Sequence, residues 1–479
     1  MKLRIVLSLF ATFALSGSAF SPSSAKATEG RQQKGRMAGG PGQFAGELRD
    51  KQGPLMRCVM NAPSRMPPAR TLALLLVHHG MNGSENNYFA GTMDCLRRLK
   101  LEEEFVVISG KSKNAGWEID VDGPITLRVI EWALQSYPID PRQVYLWGSS
   151  NGAGFVGRFG WQNQDKVAAC VGYCGGYNFQ KPANHDPAAE KQEWYFVHGG
   201  NDNPQNSGNA CKQLKDLGYR YVFRQLDGYG HTDIWDGQGH PDMTVVDAVR
   251  DDYILWLRAI RLKTMDPEKR DKEWLAKFEN PSTADSMLGS KATYLNLCRI
   301  AGPKAGTAVA MGLQSKNGRA GAADLAGAMS FGKPVCDELA KLVADESDRV
   351  AQASVRALGA YAAWHYPEAI DALCKAARAT KENGEKGPSL GERMLALDGL
   401  SKAARLAVLG NFEDKKMWWT FVQLLEDDEV RVRAAAFAAV QKAVKDGHGY
   451  VPGATADARK GAVAKWVTWC TQKCGPPER

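Results

Sequence analysis

The apolar positions of this chain fall into two regimes, and the first begins near residue 55. Thr71 to His78 (TLALLLVH) is a nearly unbroken apolar run. Such a run suits a strand buried on both faces of a parallel sheet. Met56–Met60 and Phe105–Ser109 read as further strands, and Pro124–Tyr137 has helical spacing with Ile125, Val129, Trp132 and Ala133 on one face. Pro138-Ile-Asp-Pro141 ends that helix. Strands follow at Gln143–Trp147, Val167–Tyr173, Trp194–His198 and Tyr219–Leu226, and helices after Ser150, over Ser207–Leu217 and over Asp242–Arg261. The alternation predicts an α/β domain with a doubly wound, mostly parallel sheet over residues 55–263.

The flanking segments lack this pattern. Residues 28–54 are rich in Gly, Gln, Arg and Lys without apolar periodicity, and read as a flexible leader. Residues 264–290 are polar, with Pro267 and Pro281, and read as a linker. From 291 to 475 the chain is rich in Ala, Leu, Lys and Glu with no strand-like run, which predicts an all-α domain. Leu342-Val-Ala-Asp345, Arg349-Val350 and Leu358 recur as Leu424-Leu-Glu-Asp427, Arg431-Val432 and Val440. The separation is about two units of a helical-hairpin repeat of roughly 40 residues. Each copy runs from the end of one helix through an acidic turn into the next, and the pattern resembles HEAT repeats.

Length and composition narrow the functional classes. A chain of 479 residues exceeds one ordinary core, and 44% hydrophobic content is that of a globular protein. The formal charge of +8 is dispersed, with no basic stripe interleaved with aromatic residues, so nucleic acid is not an expected partner. Lys2 and Arg4, the apolar stretch Ile5–Leu15 and Ala25-Lys26-Ala27 read as a signal peptide over residues 1–27. No stretch is long and apolar enough for stable membrane insertion. The expected location is therefore exported, periplasmic or extracellular. Ten cysteines suit an oxidising compartment, but none has the His or Cys neighbours of a zinc site, and no metal is expected.

Candidate chemistry centres on Gln143 to Gly154. The strand Val144–Trp147 runs into Gly148-Ser149-Ser150-Asn151-Gly152, a Gly-x-Ser-x-Gly pattern at a strand-to-helix junction. Glycines on both sides let a serine occupy a sharp turn, with its hydroxyl clear of the backbone at a helix N-terminus. Ser150 is thus the expected nucleophile. His231 lies on a glycine-bearing loop past the last strand, and Asp202 on the loop after Trp194–His198. Ser, Asp, His is the chain order expected for nucleophile, acid and base on such a turn. Asp227 and Asp233 are rival acids but lie too near His231 in sequence to face its ring. His198 reads as a hydrogen-bonding residue that shapes the acid loop. The N–H groups of Asn151 and of Met81, after His79-Gly80, are the expected oxyanion donors. Trp117, Tyr173, Tyr177, Tyr229 and Trp235 are candidate aromatic walls of a substrate pocket.

Taken together, His79-Gly80, the Gly148–Gly152 turn, His-Gly-x-x-Asp at 198–202 and His231 resemble the α/β-hydrolase superfamily over residues 55–262. Pro138-Ile-Asp-Pro141 before Val-Tyr-Leu-Trp-Gly-Ser-Ser-Asn-Gly is similar to the secreted branch of feruloyl esterases and polyhydroxybutyrate-type depolymerases. The resemblance implies hydrolysis of small or polymer-linked esters through an acyl-enzyme, with no cofactor, and a protein partner for the helical repeats. It leaves two other readings: a peptidase like the prolyl oligopeptidases, and a repeat scaffold with a vestigial hydrolase domain.

Overall fold

Eight strands make one mixed sheet: β1 (Gly42–Asp50), β2 (Gly53–Ala62), β3 (Leu72–His78), β4 (Phe105–Gly110), β5 (Ile139–Ser149), β6 (Ala169–Tyr173), β7 (Glu193–Gly199) and β8 (Tyr221–Leu226). The computed structural model describes residues 40–68, 70–180, 192–232, 243–262, 303–315, 318–327, 330–379, 388–407, 415–444 and 447–477. The strand order is β1-β2-β4-β3-β5-β6-β7-β8. β1 and β2 form an antiparallel hairpin and β2 runs antiparallel to β4, while every later pair is parallel. This is an α/β-hydrolase-like core. Helices α1 (Phe89–Leu99), α2 (Ile119–Ser136), α3 (Asn151–Gln162), α4 (Gln205–Asp216) and α5 (Met243–Ala259) cover it on both faces.

Double coverage explains the unbroken apolar runs. Along β3, Leu75 and Val77 pack with α1 and α5, while Leu74 and Leu76 enter the core shared with α2 and α3. Successive side chains point to opposite faces, so each position needs an apolar residue.

Three expectations are corrected. The leader expected over 28–54 contains β1. Within β1 every second residue is partly or fully buried, but these inward places hold Gly42, Phe44, Gly46, Leu48 and Asp50, so few apolar side chains mark the period in the sequence. The helix expected from Pro124 starts at Ile119; the Asp122 carboxylate accepts the N–H groups of Glu118 (2.8 Å) and Lys113 (2.9 Å) and holds the first turn. The Pro138–Pro141 segment does end that helix, at Ser136, but the strand expected from Gln143 already starts within it at Ile139, which pairs with Leu72 across a register shift. The linker expected over 264–290 lies outside the described residues.

Beyond residue 302 the described residues are helical: α6 (Pro303–Gln314), α7 (Arg319–Ala326), α8 (Lys333–Lys341), α9 (Asp348–Ala363), α10 (Pro367–Arg378), α11 (Leu390–Ala407), α12 (Lys415–Gln423), α13 (Val430–Gln441) and α14 (Ala456–Cys474). Alternate helices pack on one another, so α6, α8, α10, α12 and α14 form one layer and α7, α9, α11 and α13 the other. The two recurring sequence stretches fall at matching places, between α8 and α9 and between α12 and α13. α9 and α11 cross where Gly359 faces Gly399; a Cβ on Gly399 would lie 2.9 Å from the Gly359 Cα.

Sheet and helical array belong to one compact unit. The array docks on the β8 edge through Trp364-His365-Tyr366, between α9 and α10. Arg220 donates to Trp364 O (2.9 Å) and stacks on the Tyr366 ring at 3.6 Å. Arg224 of β8 reaches His365 (2.9 Å) and Asp252 of α5 (3.5 Å). Asp252 also accepts the Tyr195 hydroxyl (2.5 Å) and faces His365 Nε2 (3.2 Å). Burial opposes the Asp252 charge, but His365, Arg224 and Tyr195 outweigh it and hold the carboxyl below its ordinary value. Its stabilising effect is therefore complete above the unfolded carboxylate range and is lost as pH falls through the lower folded value. Asp252→Asn should cost about 3–5 kcal/mol, because it leaves Arg224 buried beside a neutral partner. Urea unfolding at neutral pH measures this, and a variant within 1 kcal/mol (roughly the span of an exposed pair) would show the cluster to be incidental.

Candidate active site

The turn between β5 and α3 is tightly constrained. Ser150 has φ 54° and ψ −116°, a left-handed conformation for a residue with a side chain. Such a conformation costs about 1–3 kcal/mol and persists only where the surroundings impose it. They do so here by crowding. A Cβ on Gly148 would lie 2.3 Å from Gly152 O, and one on Gly152 would lie 2.4 Å and 2.5 Å from the carbonyl oxygens of His78 and His79. Only glycine fits either place. Ser150 N–H donates to Tyr173 O on β6 (2.8 Å), which ties the turn to the sheet.

The structure brings Ser150, His231 and Asp202 together. His231 Nε2 lies 2.9 Å from Ser150 Oγ, and His231 Nδ1 lies 2.7 Å from Asp202 Oδ2. Because β5, β7 and β8 are parallel, the loops after them meet at one rim. The side chain of His231 is 44% exposed and that of Asp202 22%, so the hydroxyl and base open to solvent while the acid sits behind. Burial raises the Asp202 carboxyl, but the imidazoles of His231 and His198 outweigh that and hold it below its usual value. It is therefore ionised at neutral pH and can accept the Nδ1 proton, which leaves Nε2 free to take the serine proton.

The two expected oxyanion donors have no hydrogen-bond acceptor among the described residues. Asn151 N–H begins α3, where first-turn donors are unpaired. Gly83 N–H donates to Gly80 O (3.0 Å) across a turn with Asn82 at φ 57°, and this leaves Met81 N–H, at the second position, unused. Gly80 lies against the nucleophile, with a Cβ there placed 3.4 Å from Ser150 Cβ. His79 is neutral: Nδ1 donates to Gly80 O (2.7 Å) and Nε2 accepts Ser112 N–H (3.2 Å). His78 is buried and held down to about 3, with its Nδ1 on Trp147 O (3.1 Å). Both rings brace the turn.

The aromatic pocket wall is corrected. Trp117 is buried, donates from Nε1 to His79 O (3.0 Å) and packs on His78 and Phe155. Tyr173 is a core ring between Trp147 and Tyr253, and Tyr229 is buried in the same core. Loop position in a sequence does not specify which way a ring turns. Tyr177, by contrast, lines an open groove of about 400 Å³ with Gly176, Asn178, Asn206, Asn209 and Gln213. Trp235 lies outside the described residues, as does the rival acid Asp233. The other rival, Asp227, accepts from Gln225 (3.1 Å).

Two features were not anticipated. The Asn151 side chain accepts Trp117 N–H (2.6 Å), and Gly116 leaves it room, since a Cβ there would lie 2.7 Å from Asn151 Oδ1. No sequence pattern signals this clamp. His198 was expected only to shape the acid loop, yet its Nε2 lies 2.8 Å from the acid itself.

No protein-family model matches the chain, and no curated protein does. Among solved structures the chain is similar to a thermostable esterase at 17% identity and TM-score 0.37, covering 46% of this chain and 63% of that one. A Staphylococcus aureus fluorophosphonate-binding serine hydrolase, FphF, matches at 16% identity and TM-score 0.35, over 46% of this chain and 99% of that one. An S-formylglutathione hydrolase from the same organism matches at 14% and 0.35, over 45% and 98%.

The glycine crossing is testable. Gly152→Ala should destabilise the protein by about 3 kcal/mol or more, because backbone oxygens of β3 cannot yield as side chains do. Thermal melts followed by circular dichroism measure it; a wild-type melt for this variant would refute the packing argument.

Proposed function

We propose that this chain is a serine hydrolase that cleaves carboxylic esters through an acyl-enzyme. The observation that carries the reading is the 2.9 Å separation of Ser150 Oγ and His231 Nε2, with Asp202 at 2.7 Å from the other ring nitrogen. In the first half-reaction Ser150 Oγ attacks the acyl carbonyl while His231 Nε2 takes its proton, and Asp202 stabilises the resulting imidazolium. The oxyanion settles on the Met81 and Asn151 N–H groups, each worth about 3–4 kcal/mol in the transition state. His231 then gives its proton to the departing alcohol. In the second half-reaction His231 deprotonates water, which attacks the acyl carbon; as the acyl–oxygen bond breaks, His231 returns the proton to Ser150 Oγ and the acid leaves. Every proton moves through one imidazole, and the residues present suffice for both halves.

The complete Ser-His-Asp set supports an active enzyme rather than a vestigial one. The N-terminal pattern of Lys2, Arg4 and Ile5–Leu15 supports export to the periplasm or beyond. The two-layer array with recurring Asp345/Asp427 turns supports a HEAT-like reading of the helical half. The feruloyl-esterase and depolymerase branch remains the proposed relationship, on the strings at 138–152.

A fluorophosphonate probe and p-nitrophenyl esters test the core of this reading. Wild type should be labelled at Ser150 and turn over the esters. Ser150→Ala should lose both with an unchanged melt, and Asp202→Asn should lower kcat by about 10⁴-fold, since a neutral amide can stabilise the wrong imidazole tautomer. Near-normal turnover by Ser150→Ala would overturn the assignment.

A further inference from the structure

The acid of this site has two imidazoles on one oxygen. Asp202 Oδ2 lies 2.7 Å from His231 Nδ1 and 2.8 Å from His198 Nε2. His198 lies near the end of β7 and its side chain is 1% exposed, so no bulk water competes for its ring. Its other nitrogen, Nδ1, lies 2.7 Å from Ser207 Oγ on α4, and Ser207 Oγ lies 2.9 Å from Gly175 O, which its hydroxyl can reach.

Counting hydrogens decides what His198 does. Ser207 has a single hydroxyl hydrogen. If it goes to Gly175 O, Nδ1 must donate to Ser207 Oγ. That arrangement would need a second proton on Nε2, since a bare nitrogen would face the carboxylate lone pair to lone pair, and burial, which holds His198 below its ordinary value, disfavours this charged ring. If the hydrogen goes to Nδ1, the ring is neutral with its proton on Nε2. In both cases His198 donates from Nε2 to the carboxylate.

We propose that His198 is a positioning residue of the hydrolytic site: its Nε2–H holds the Asp202 oxygen that orients His231, and moderates how strongly that oxygen draws the His231 proton. This rests on the hydrolase reading above. A carboxylate that shares its charge between two N–H groups stabilises the imidazolium less than one devoted to His231 alone. Among the described residues the Cys174 thiol also belongs to the cluster, its sulfur and the polar atoms of His198 and Asp202 falling within 4.8 Å of one another, while the Asp227 carboxylate lies beside Gly200 and is held by Gln225.

The sign of the effect follows. Without the His198 donor, Asp202 binds the His231 proton more tightly, and the base is freed only at higher pH. In full-length protein, His198→Leu should displace the acidic limb of the kcat/KM profile on p-nitrophenyl acetate upward by about half to one pH unit. It should also lower kcat/KM by about 10–100-fold, as the carboxylate loses its anchor. His198→Gln, whose amide N–H can reach the same oxygen, should restore the wild-type limb. A merely structural histidine would lower stability or rate but leave the limb in place, and that result in folded His198→Leu would overturn the proposal.

If His198→Leu does not fold, NMR of wild type with ¹⁵N-labelled histidine decides. A proton on His198 Nε2 throughout the range from about pH 6 to pH 9 is expected, and a bare Nε2 there would overturn the proposal. Failure of the hydrolase reading looks different: wild type itself would give neither Ser150 adduct nor ester turnover, whatever the His198 ring carries.

Discussion

Backbone contact between the β5–α3 turn and the end of β3 is the constraint on which the site depends. Gly152 sits on the carbonyl oxygens of His78 and His79, closer than any Cβ would permit, and Gly148 folds back on Gly152. This forces Ser150 into a positive φ and brings it against Gly80. A single crossing thus sets the direction of the hydroxyl and the distance from it to the Gly80–Gly83 turn. The strain is opposed by bonds on every side. Ser150 N–H is held by β6, Asn151 Oδ1 by Trp117, and His79 by both Gly80 and Ser112. Rings expected to greet substrate are used to brace this crossing from behind.

The acid and base come from the β7–β8 end of the same rim, and their placement reaches into the helical half. Asp202 follows β7 and His231 follows β8. Tyr195 of β7 and Arg224 of β8 both engage Asp252 of α5, and Asp252 faces His365 of the helical array. The strands that deliver the acid and the base therefore share a buried charge with the α9–α10 turn. His365 has φ 61°, so its backbone, like that of Ser150, is held where its neighbours require it.

Much of this was legible in the sequence where the information is local. The runs at Thr71–His78 and Val144–Trp147 name buried parallel strands because both faces must be apolar, and the glycines of 148–152 name a turn that excludes side chains. Chain order and strand ends then picked out Asp202 and His231, which the fold brings within hydrogen-bond reach of one another. What escaped depends on neighbours distant in sequence. β1 is an edge strand whose inward positions include two glycines and an aspartate, so its alternation is barely written in apolar side chains. Trp117, Tyr173 and Tyr229 stand near the right loops, but only packing decides whether a ring faces the rim or the core. The docking of the array on β8 rests on arginines at 220 and 224, and in a sequence these are indistinguishable from solvated charges.

Those two arginines also explain why the halves form one body. A parallel sheet ending at β8 would present an open edge, and open edges are templates for unwanted pairing. Charged side chains on an edge strand commonly blunt it by facing water. Here they face inward instead. Arg224 is buried against Asp252 and His365, and Arg220 is covered by Tyr366. Cations taken out of water need partners, and Trp364, His365 and Tyr366 supply them from beyond residue 360 beside Glu193 and Asp252 of the sheet half. The charge pattern of β8 is thus intelligible only with the helical array in place, which makes the array part of the hydrolase-like fold and not a tethered accessory.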